Sequence, residues 1–384
     1  MPQKPQAKRG LLYRRRAKRI RLGTYPYTVT RVRVMRSFLL KPADFLRMQQ
    51  MGLNELIHSL EEGQYKAEID SLAARYSGVE LLELALSANL ARTLNKLLLI
   101  SHKRELKFVI ATYASKWALQ NLKTVLRSRM NQLSSSEALA AIVPISPTTA
   151  EYCSKLLEDE HALARGLHEL AGIEPAAARA LLAAKNLHAL EDRLDRAYYE
   201  RLNNLTHQVR ASKKDPLKEF FHLTVDLMNL KNLLRLKAAK AEPANIRATL
   251  VLDPEMNLKY RRMWDRLFHA APQELRKAAK GTRFAGLLAA ADPTDLPGFE
   301  RSIEKYLLAY SFKLLRRRPL SISPVFGFLL NKELEVRNIR LLLHGKALGL
   351  PEAFVTSNLV LPQKETVREE PAGSVRLVGG GGAP

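Results

Sequence analysis

The 384-residue sequence contains one cysteine, Cys153, and two tryptophans. A single cysteine excludes an internal disulfide framework and a cysteine-rich zinc module, which is typical of a reducing compartment or of a protein that is indifferent to redox conditions. The longest stretches without a charged side chain, 138–150 and 319–331, are thirteen residues each. A membrane-spanning helix needs about 18 or more apolar residues. The basic N-terminus lacks a following apolar segment, so the sequence predicts neither a membrane span nor a secretory signal.

The motifs of common enzyme chemistry are also missing. No Gly-x-x-x-x-Gly-Lys-Ser/Thr loop and no Gly-x-Gly-x-x-Gly loop is present, so no phosphate cradle is encoded. His161 and His168 lie beside several carboxylates, but a pair of this kind is more typical of a surface helix than of a metal site. Cys153 has no sequence neighbour that marks it as a nucleophile. We therefore expect no catalytic residue, no cofactor and no metal, and an enzyme is the function class with least support.

Acidic residues are absent before Asp44, and thirteen Lys and Arg residues precede it. The whole chain carries a formal charge of +24, and the segment after Leu361 is neutral. Subtracting the thirteen N-terminal charges leaves +11 for the body of the chain, residues 43–361. Residues 1–22 offer little apolar surface to offset the entropy of ordering them, so we predict a flexible basic arm. The glycine run at 379–382 favours a disordered tail over 362–384.

The arm has two interpretations of equal weight. Its charges, Arg14, Arg15 and Arg16 among them, could bind a specific anionic partner, either lipid headgroups or nucleic acid. They could also form only a solvated tail, because charge runs are non-specific signals. Arg316, Arg317 and Arg318 form the densest basic cluster inside the body. We expect at least that this cluster lies at the protein surface.

Three nine-residue segments share one pattern, and they begin at Asn121, Asn229 and Asn338, which are 108 and 109 residues apart. Each has an apolar triplet at i, i+3, i+4 spacing, which predicts a helix with one face packed inward. A second match keeps the same offsets, at Glu83, Glu191 and Glu300. Basic side chains recur at i, i+4 in each copy: Lys123 and Arg127, Lys231 and Arg235, and Arg340 and His344.

Two motifs in register indicate a triplicated helical unit. We predict an arm over 1–22, a first unit with an additional N-terminal helix over 23–150, a second over 151–256, a third over 257–361 and a tail over 362–384. Leu, Ala, Arg, Lys and Glu dominate, so the predicted fold class is all-α. The segment 27–34 alternates like a strand and is interpreted as a helix start, and 248–252 as a loop.

The repeated polar residues have open interpretations. The asparagines are expected to be buried structural partners of a facing helix, through the repeated glutamates, rather than a ligand site. The two basic side chains at i, i+4 in each copy, which we call its basic line, also have two interpretations. They form either a solvated helix face or part of a set that converges on a common axis and attracts an acidic partner.

Several segments together resemble the C subunit of the prokaryotic V/A-type rotary ATPases, the counterpart of the d subunit of the eukaryotic vacuolar enzymes. The resemblance covers about 25–361. It rests on Tyr25-Pro-Tyr27, Arg31-Val-Arg33-Val-Met35, Tyr65-Lys-Ala-Glu-Ile69, the segment from Asp226 to Lys237, and the segment from Glu333 to Pro351.

The resemblance implies a funnel of three similar helical units around a pseudo-threefold axis, at the cytoplasmic face of the membrane. Its partners would be the rotor shaft, made by the D and F subunits, and the proteolipid ring. Its role would be the transfer of rotation in a proton- or sodium-translocating ATPase. We then expect the six basic repeat residues to face the shaft, and Arg14–16 with Arg316–318 to face the ring or anionic lipid headgroups.

The alternative from another class is a helical-repeat nucleic-acid-binding protein, suggested by the isoelectric point of about 10.1. That function requires basic residues throughout the body with interleaved exposed aromatics. The body carries only +11, and Trp117 and Trp264 lie in apolar helical patterns. No nucleic-acid partner is therefore expected.

Overall fold

The structure is a computed structural model that describes residues 19–132, 134–145, 148–210, 215–253, 258–290 and 295–361. The described residues are predominantly α-helical and include very little strand, which confirms the all-α prediction. The first helix is α1 (Pro26–Ser37), and eighteen more follow it in this part of the chain.

The eighteen helices after α1 form three sets of six in the same order. Each set has three short helices, then two long ones, then one short one. The first set is α2 (Pro42–Gln50), α3 (Leu53–Glu61), α4 (Lys66–Leu72), α5 (Gly78–Ile100), α6 (Arg104–Met130) and α7 (Ser135–Ala140). The second is α8 (Ala150–Glu158), α9 (Glu160–Ala171), α10 (Pro175–Ala183), α11 (Leu187–Gln208), α12 (Pro216–Ala238) and α13 (Pro243–Thr249). The third is α14 (Leu258–His269), α15 (Leu275–Ala278), α16 (Ala285–Ala290), α17 (Leu296–Arg316), α18 (Ser323–Ala347) and α19 (Glu352–Asn358).

Two short strands lie outside this pattern. β1 (Ile20–Arg21) pairs in parallel with β2 (Val209–Arg210), with Ile20 opposite Val209. A one-turn 3₁₀ helix, Pro272–Glu274, precedes α15. The strand pair ties the N-terminal segment to the connection between α11 and α12, a long-range contact that no local sequence pattern indicates.

The two segments with extended patterns differ in outcome. Residues 27–34 lie inside α1, as predicted: Pro26 occupies its first turn, where a missing N–H costs nothing, and Val29 and Val32 are buried three residues apart. The loop prediction for 248–252 is wrong at its first two residues, which belong to α13. This helix begins at Pro243, is anchored by the buried Ile246 and ends at Thr249. Pro42 likewise begins α2, whereas Pro147 and Pro254 lie outside the described residues.

The six long helices contact one another in a closed cycle. Within each set the two long helices pack together: α5 with α6, α11 with α12, and α17 with α18. Between sets, the second long helix packs on the first long helix of the next: α6 on α11, α12 on α17, and α18 on α5. We call these three between-set contacts the first, second and third seam. The third seam joins the last set to the first and closes the cycle.

The long helices define two ends of the molecule. The described parts of the connections between them, around 101–103, 209–210 and 317–322, lie at what we call the turn end. The first long helices start, and the second ones finish, at the opposite end, which we call the seam end. Near the turn end, aromatic rings from α6, α12 and α18 meet: Tyr113, Phe220, Phe221 and Phe326, with ring centroids 5.2–5.9 Å apart.

Candidate interaction surfaces

The three repeated asparagines form identical amide clamps. Each side chain donates from Nδ2 to the carbonyl, and accepts at Oδ1 from the N–H, of a valine 22 residues further on. The valines are Val143, Val251 and Val360, each just beyond the last short helix of its set. The six distances span 2.6–3.1 Å, and all three asparagines are buried. The clamps hold the end of each set against its second long helix.

This geometry corrects the expected partner of the asparagines. They were expected to bond a facing helix through the repeated glutamates, but they bind backbone in their own set instead. The reason is that a buried amide can satisfy both groups of one peptide residue, which removes two unpaired backbone groups at once.

The repeated glutamates lie at the seams, opposite the basic line of the preceding set. At the first seam Arg127 donates two hydrogen bonds to Glu191, at 2.6 and 3.0 Å, and Lys123 lies 2.5 Å from Asp195. At the second, Glu300 lies 3.1 Å from Lys231.

Arg235 completes the second seam, 2.5 Å from Glu300. At the third, Glu83 lies 2.9 Å from both Arg340 and His344. The same pair of charges therefore recurs in cyclic order, although 108 or 109 residues separate its copies.

All six residues predicted to face the shaft thus have partners inside the chain. With His344 neutral, five formal positive charges lie beside four carboxylates, those of Glu83, Glu191, Asp195 and Glu300. These six side chains do not form a surface of one sign. They are between 12% and 52% exposed, so each keeps part of its side chain in solvent. Contact with a shaft stays a prediction.

The residues predicted to face the ring or lipid divide into two groups. Arg14, Arg15 and Arg16 lie outside the described residues. Arg316, Arg317 and Arg318 are exposed at the turn end, where Arg316 ends α17 and the other two begin the connection to α18. Arg318 lies 2.6 Å from Asp215, and Arg317 lies 3.8 Å from Glu219, so two of the three arginines pair with carboxylates of the second set.

Segments that carry the family resemblance meet in a buried polar cluster. Tyr65 and Gln64 each donate to Oε1 of Glu335 at 2.7 Å, and the Leu40 N–H donates to its Oε2 at 2.6 Å. Lys332, 1% exposed, lies 2.8 Å from the same carboxylate. Burial raises the pKa of Tyr65 and lowers that of Lys332, and Glu335 opposes the second shift.

A second buried acid, Asp226, binds Arg283 and the Tyr260 hydroxyl. Burial raises its pKa to about 6, although Arg283 and Tyr260 both pull it down. Asp226 and Glu335 each lie three residues before a repeated asparagine, where the first set has Ala118. The repeat register, followed three positions upstream, would have identified both acids, which the sequence interpretation missed.

The residues considered for chemistry, Cys153, His161 and His168, are all described. Burial raises the pKa of Cys153 to about 11, which disfavours the reactive thiolate. His168 lies 4.0 Å from Glu174, and no group of three metal-binding side chains occurs within the described ranges. None of the helices in this part of the chain is long and apolar enough to cross a membrane.

Residues 28–357 match the ATP synthase (C/AC39) subunit family. Among curated relatives, the C subunit of the A-type ATP synthase of Methanococcoides burtonii is 31% identical over 342 residues, which cover 88% of this chain and 95% of the relative. The corresponding C subunit of Archaeoglobus fulgidus is 30% identical, over 88% and 97% of the two chains. That of Haloferax volcanii is 31% identical, over 88% and 98%.

Proposed function

Because the chain belongs to the ATP synthase (C/AC39) subunit family, we propose that it is the non-catalytic adaptor that links the rotor shaft, made by the D and F subunits, to the membrane proteolipid ring. In this role it transmits rotation between the ring and the nucleotide-processing head of a proton- or sodium-translocating ATPase. It would lie at the cytoplasmic face of the membrane, in one copy per complex.

One observation carries the proposal: the six residues predicted to face the shaft and Arg316–318, the described residues predicted to face the ring, lie at opposite ends of the long helices. On α17, Glu300 marks the seam end and Arg316 the turn end. Sixteen residues at 1.5 Å per residue separate them by about 24 Å. An adaptor between two rotor parts needs two such separated surfaces on one body.

The closed cycle of helices supports the transmission of torque. Each seam combines helix packing with ion pairs, and the third seam closes the body without a peptide link between α18 and α5. A twisting load applied at the seam end would therefore be shared by three similar seams. The aromatic cluster of Tyr113, Phe220, Phe221 and Phe326 packs the second long helices together near the turn end.

Shaft binding is tested with charge-swapped seams, because single reversals would break the fold's own ion pairs. The variant combines Arg127→Glu with Glu191→Arg, and Arg235→Glu with Glu300→Arg. Lys231→Glu accompanies the second swap, because Lys231 also pairs with Glu300. Each swap then keeps an ion pair at its seam and inverts the charges that a partner meets. We expect purified D/F shaft to bind this variant at least about tenfold more weakly, a loss of about 1.4 kcal/mol, with an unchanged melting temperature. Unchanged affinity would reject these residues as shaft contacts.

The role itself is tested by reconstitution. ATP-driven ion pumping by a complex assembled without this chain should be lost, while the head alone keeps ATP hydrolysis. Pumping that continues at the normal rate without the chain would contradict the proposal. The matched control is the same assembly with the chain added back.

A further inference from the structure

The turn end carries exposed cations that the fold does not use. These are Arg19, Arg21, Lys103, Arg104, Arg210 and Arg316. None of them forms an ion pair with another described residue, in contrast to Arg317 and Arg318, which Glu219 and Asp215 hold. Six exposed, unpaired charges at one end of a molecule create a positive surface potential, which attracts an anionic partner.

The N-terminal segment fixes these cations on one surface, because it touches all three helix connections. Ile20 and Arg21 pair with Val209 and Arg210 of the second set. The Tyr25 N–H donates to the Leu320 carbonyl of the third, at 2.8 Å.

The remaining contact is to the first set. The Tyr27 ring lies 5.2 Å from that of His102, and the Thr28 hydroxyl donates to the Ile100 carbonyl at 3.2 Å. The charges of distant parts of the sequence therefore belong to one continuous face.

Two exposed apolar side chains lie on the same face. Tyr27 is 53% exposed and Leu320 is 48% exposed. A tyrosine beside cations is typical of the headgroup level of a bilayer, where the ring meets lipid and the hydroxyl meets water. Leu320 cannot stack on a base, as a nucleic-acid site would require. The combination favours a lipid surface over nucleic acid.

We propose that the turn end is a binding surface for anionic phospholipid headgroups, in addition to any contact with the proteolipid ring. This inference rests on the proposed function only in placing the turn end toward the membrane. Each basic side chain close to an anionic leaflet strengthens binding by about fivefold. The cations act together because the N-terminal segment holds them on one face.

The test uses full-length protein and sedimentation with vesicles. Phosphatidylcholine vesicles containing phosphatidylglycerol are compared with vesicles of phosphatidylcholine alone at low salt. The variant carries Arg21→Gln, Lys103→Gln, Arg210→Gln and Arg316→Gln. A matched control carries four exposed cations changed outside the turn end: Arg179→Gln, Lys259→Gln, Lys277→Gln and Lys280→Gln.

We expect wild-type protein to sediment with the phosphatidylglycerol vesicles and not with neutral ones. The turn-end variant should lose at least about tenfold in partition coefficient, and the control less than about twofold. Equal losses in the two variants, or equal binding to neutral vesicles, would overturn the proposal. So would substitutions that weaken binding of a single-stranded RNA but leave vesicle binding unchanged.

The assay contains no ring and no shaft, so its failure leaves the adaptor function untouched. Capture of the chain by detergent-solubilised ring, without lipid vesicles, reports on that function separately.

Discussion

Asn229 satisfies both backbone groups of Val251 with one side chain, at 2.8 Å in each direction. Asn229→Ala leaves a buried N–H and a buried carbonyl without partners. Because each unpaired buried group costs about 1–3 kcal/mol, we expect the free energy of unfolding to fall by about 2–4 kcal/mol in urea titrations at pH 7.

The control lies on the same helix. Asn232 is part-buried, and its amide donates to the Met228 sulfur at 3.0 Å. Asn232→Ala should cost less than about 0.5 kcal/mol. If the two variants lose the same stability, the clamp has no special role.

Asp226 makes stability depend on pH. Its folded pKa of about 6 lies above the value of about 3.9 expected in the unfolded chain. The folded state therefore holds this proton more tightly, and burying the ionised carboxylate costs stability as the pH rises from about 4 to about 6. The loss amounts to about 2 kcal/mol over that window.

Asp226→Asn removes the titration, so the unfolding free energy of wild type minus that of the variant should fall as the pH rises through this window. Urea titrations at intervals between pH 4 and pH 7 measure it. Asp265→Asn, at an exposed position on α14, is the control and should leave the profile of wild type unchanged. A constant difference across the window for Asp226→Asn would contradict the assignment.

At the scale of elements, α17 and α18 approach closely at Gly327. A Cβ there would lie 2.7 Å from Leu315 Cγ and 2.9 Å from the Ser311 carbonyl oxygen. Gly327→Ala must therefore shift one helix against the other, at a cost of about 1–3 kcal/mol. Thermal unfolding should show a lower melting temperature.

Gly286 on α16 is the matched control, because a Cβ there has no heavy atom within 4 Å. Gly286→Ala should stabilise the helix by about 0.5–1 kcal/mol. A stabilising effect at both glycines would show that the contact between α17 and α18 is looser than its distances indicate.

The sequence predicts individual helices better than their partners. The apolar triplets correctly predicted helices at α6, α12 and α18, because the 3.6-residue period of a helix can be read from neighbouring residues alone. The seam pairs are different: Glu83 meets Arg340 and His344 from the far end of the chain. The sequence shows both the repeated glutamates and the repeated basic pairs. Neither repeat specifies that the basic pair of one set contacts the glutamate of the next set rather than the glutamate of its own set.

The pairing of β1 with β2 could not be predicted for a similar reason. Two residues in each strand carry no alternation, and their parallel contact depends on where α11 ends. The repeat register marks the positions of Asp226 and Glu335, but it does not show that they are buried, and burial is what makes an acidic residue unusual.

For the whole molecule, the three seams should contribute a salt-sensitive part of stability. The triple variant Glu83→Gln, Glu191→Gln and Glu300→Gln removes one partner at each. Partly exposed ion pairs contribute about 0–1 kcal/mol each, so we expect a loss of about 1–3 kcal/mol at low ionic strength. Urea titrations repeated in 1 M salt should show a smaller loss, because salt screens the pairs.

A control with the same change in charge distinguishes seams from general surface effects. Asp70→Asn, Glu151→Gln and Glu200→Gln remove i, i+4 pairs with Lys66, Lys155 and Arg196 inside single helices. Their combined loss should stay below that of the seam variant. A larger loss in the control would mean that the seams are held by packing alone.

The third seam also sets the time at which the fold can be completed during synthesis. Arg340 donates to the Ser87 hydroxyl across a separation of 253 residues. At about 5–20 residues per second, a ribosome needs about 13–50 seconds to produce the second of these partners after the first. Throughout that interval α5 has one flank without its neighbour, so the growing chain must keep an apolar helix face out of aggregates until nearly its last helix has been made.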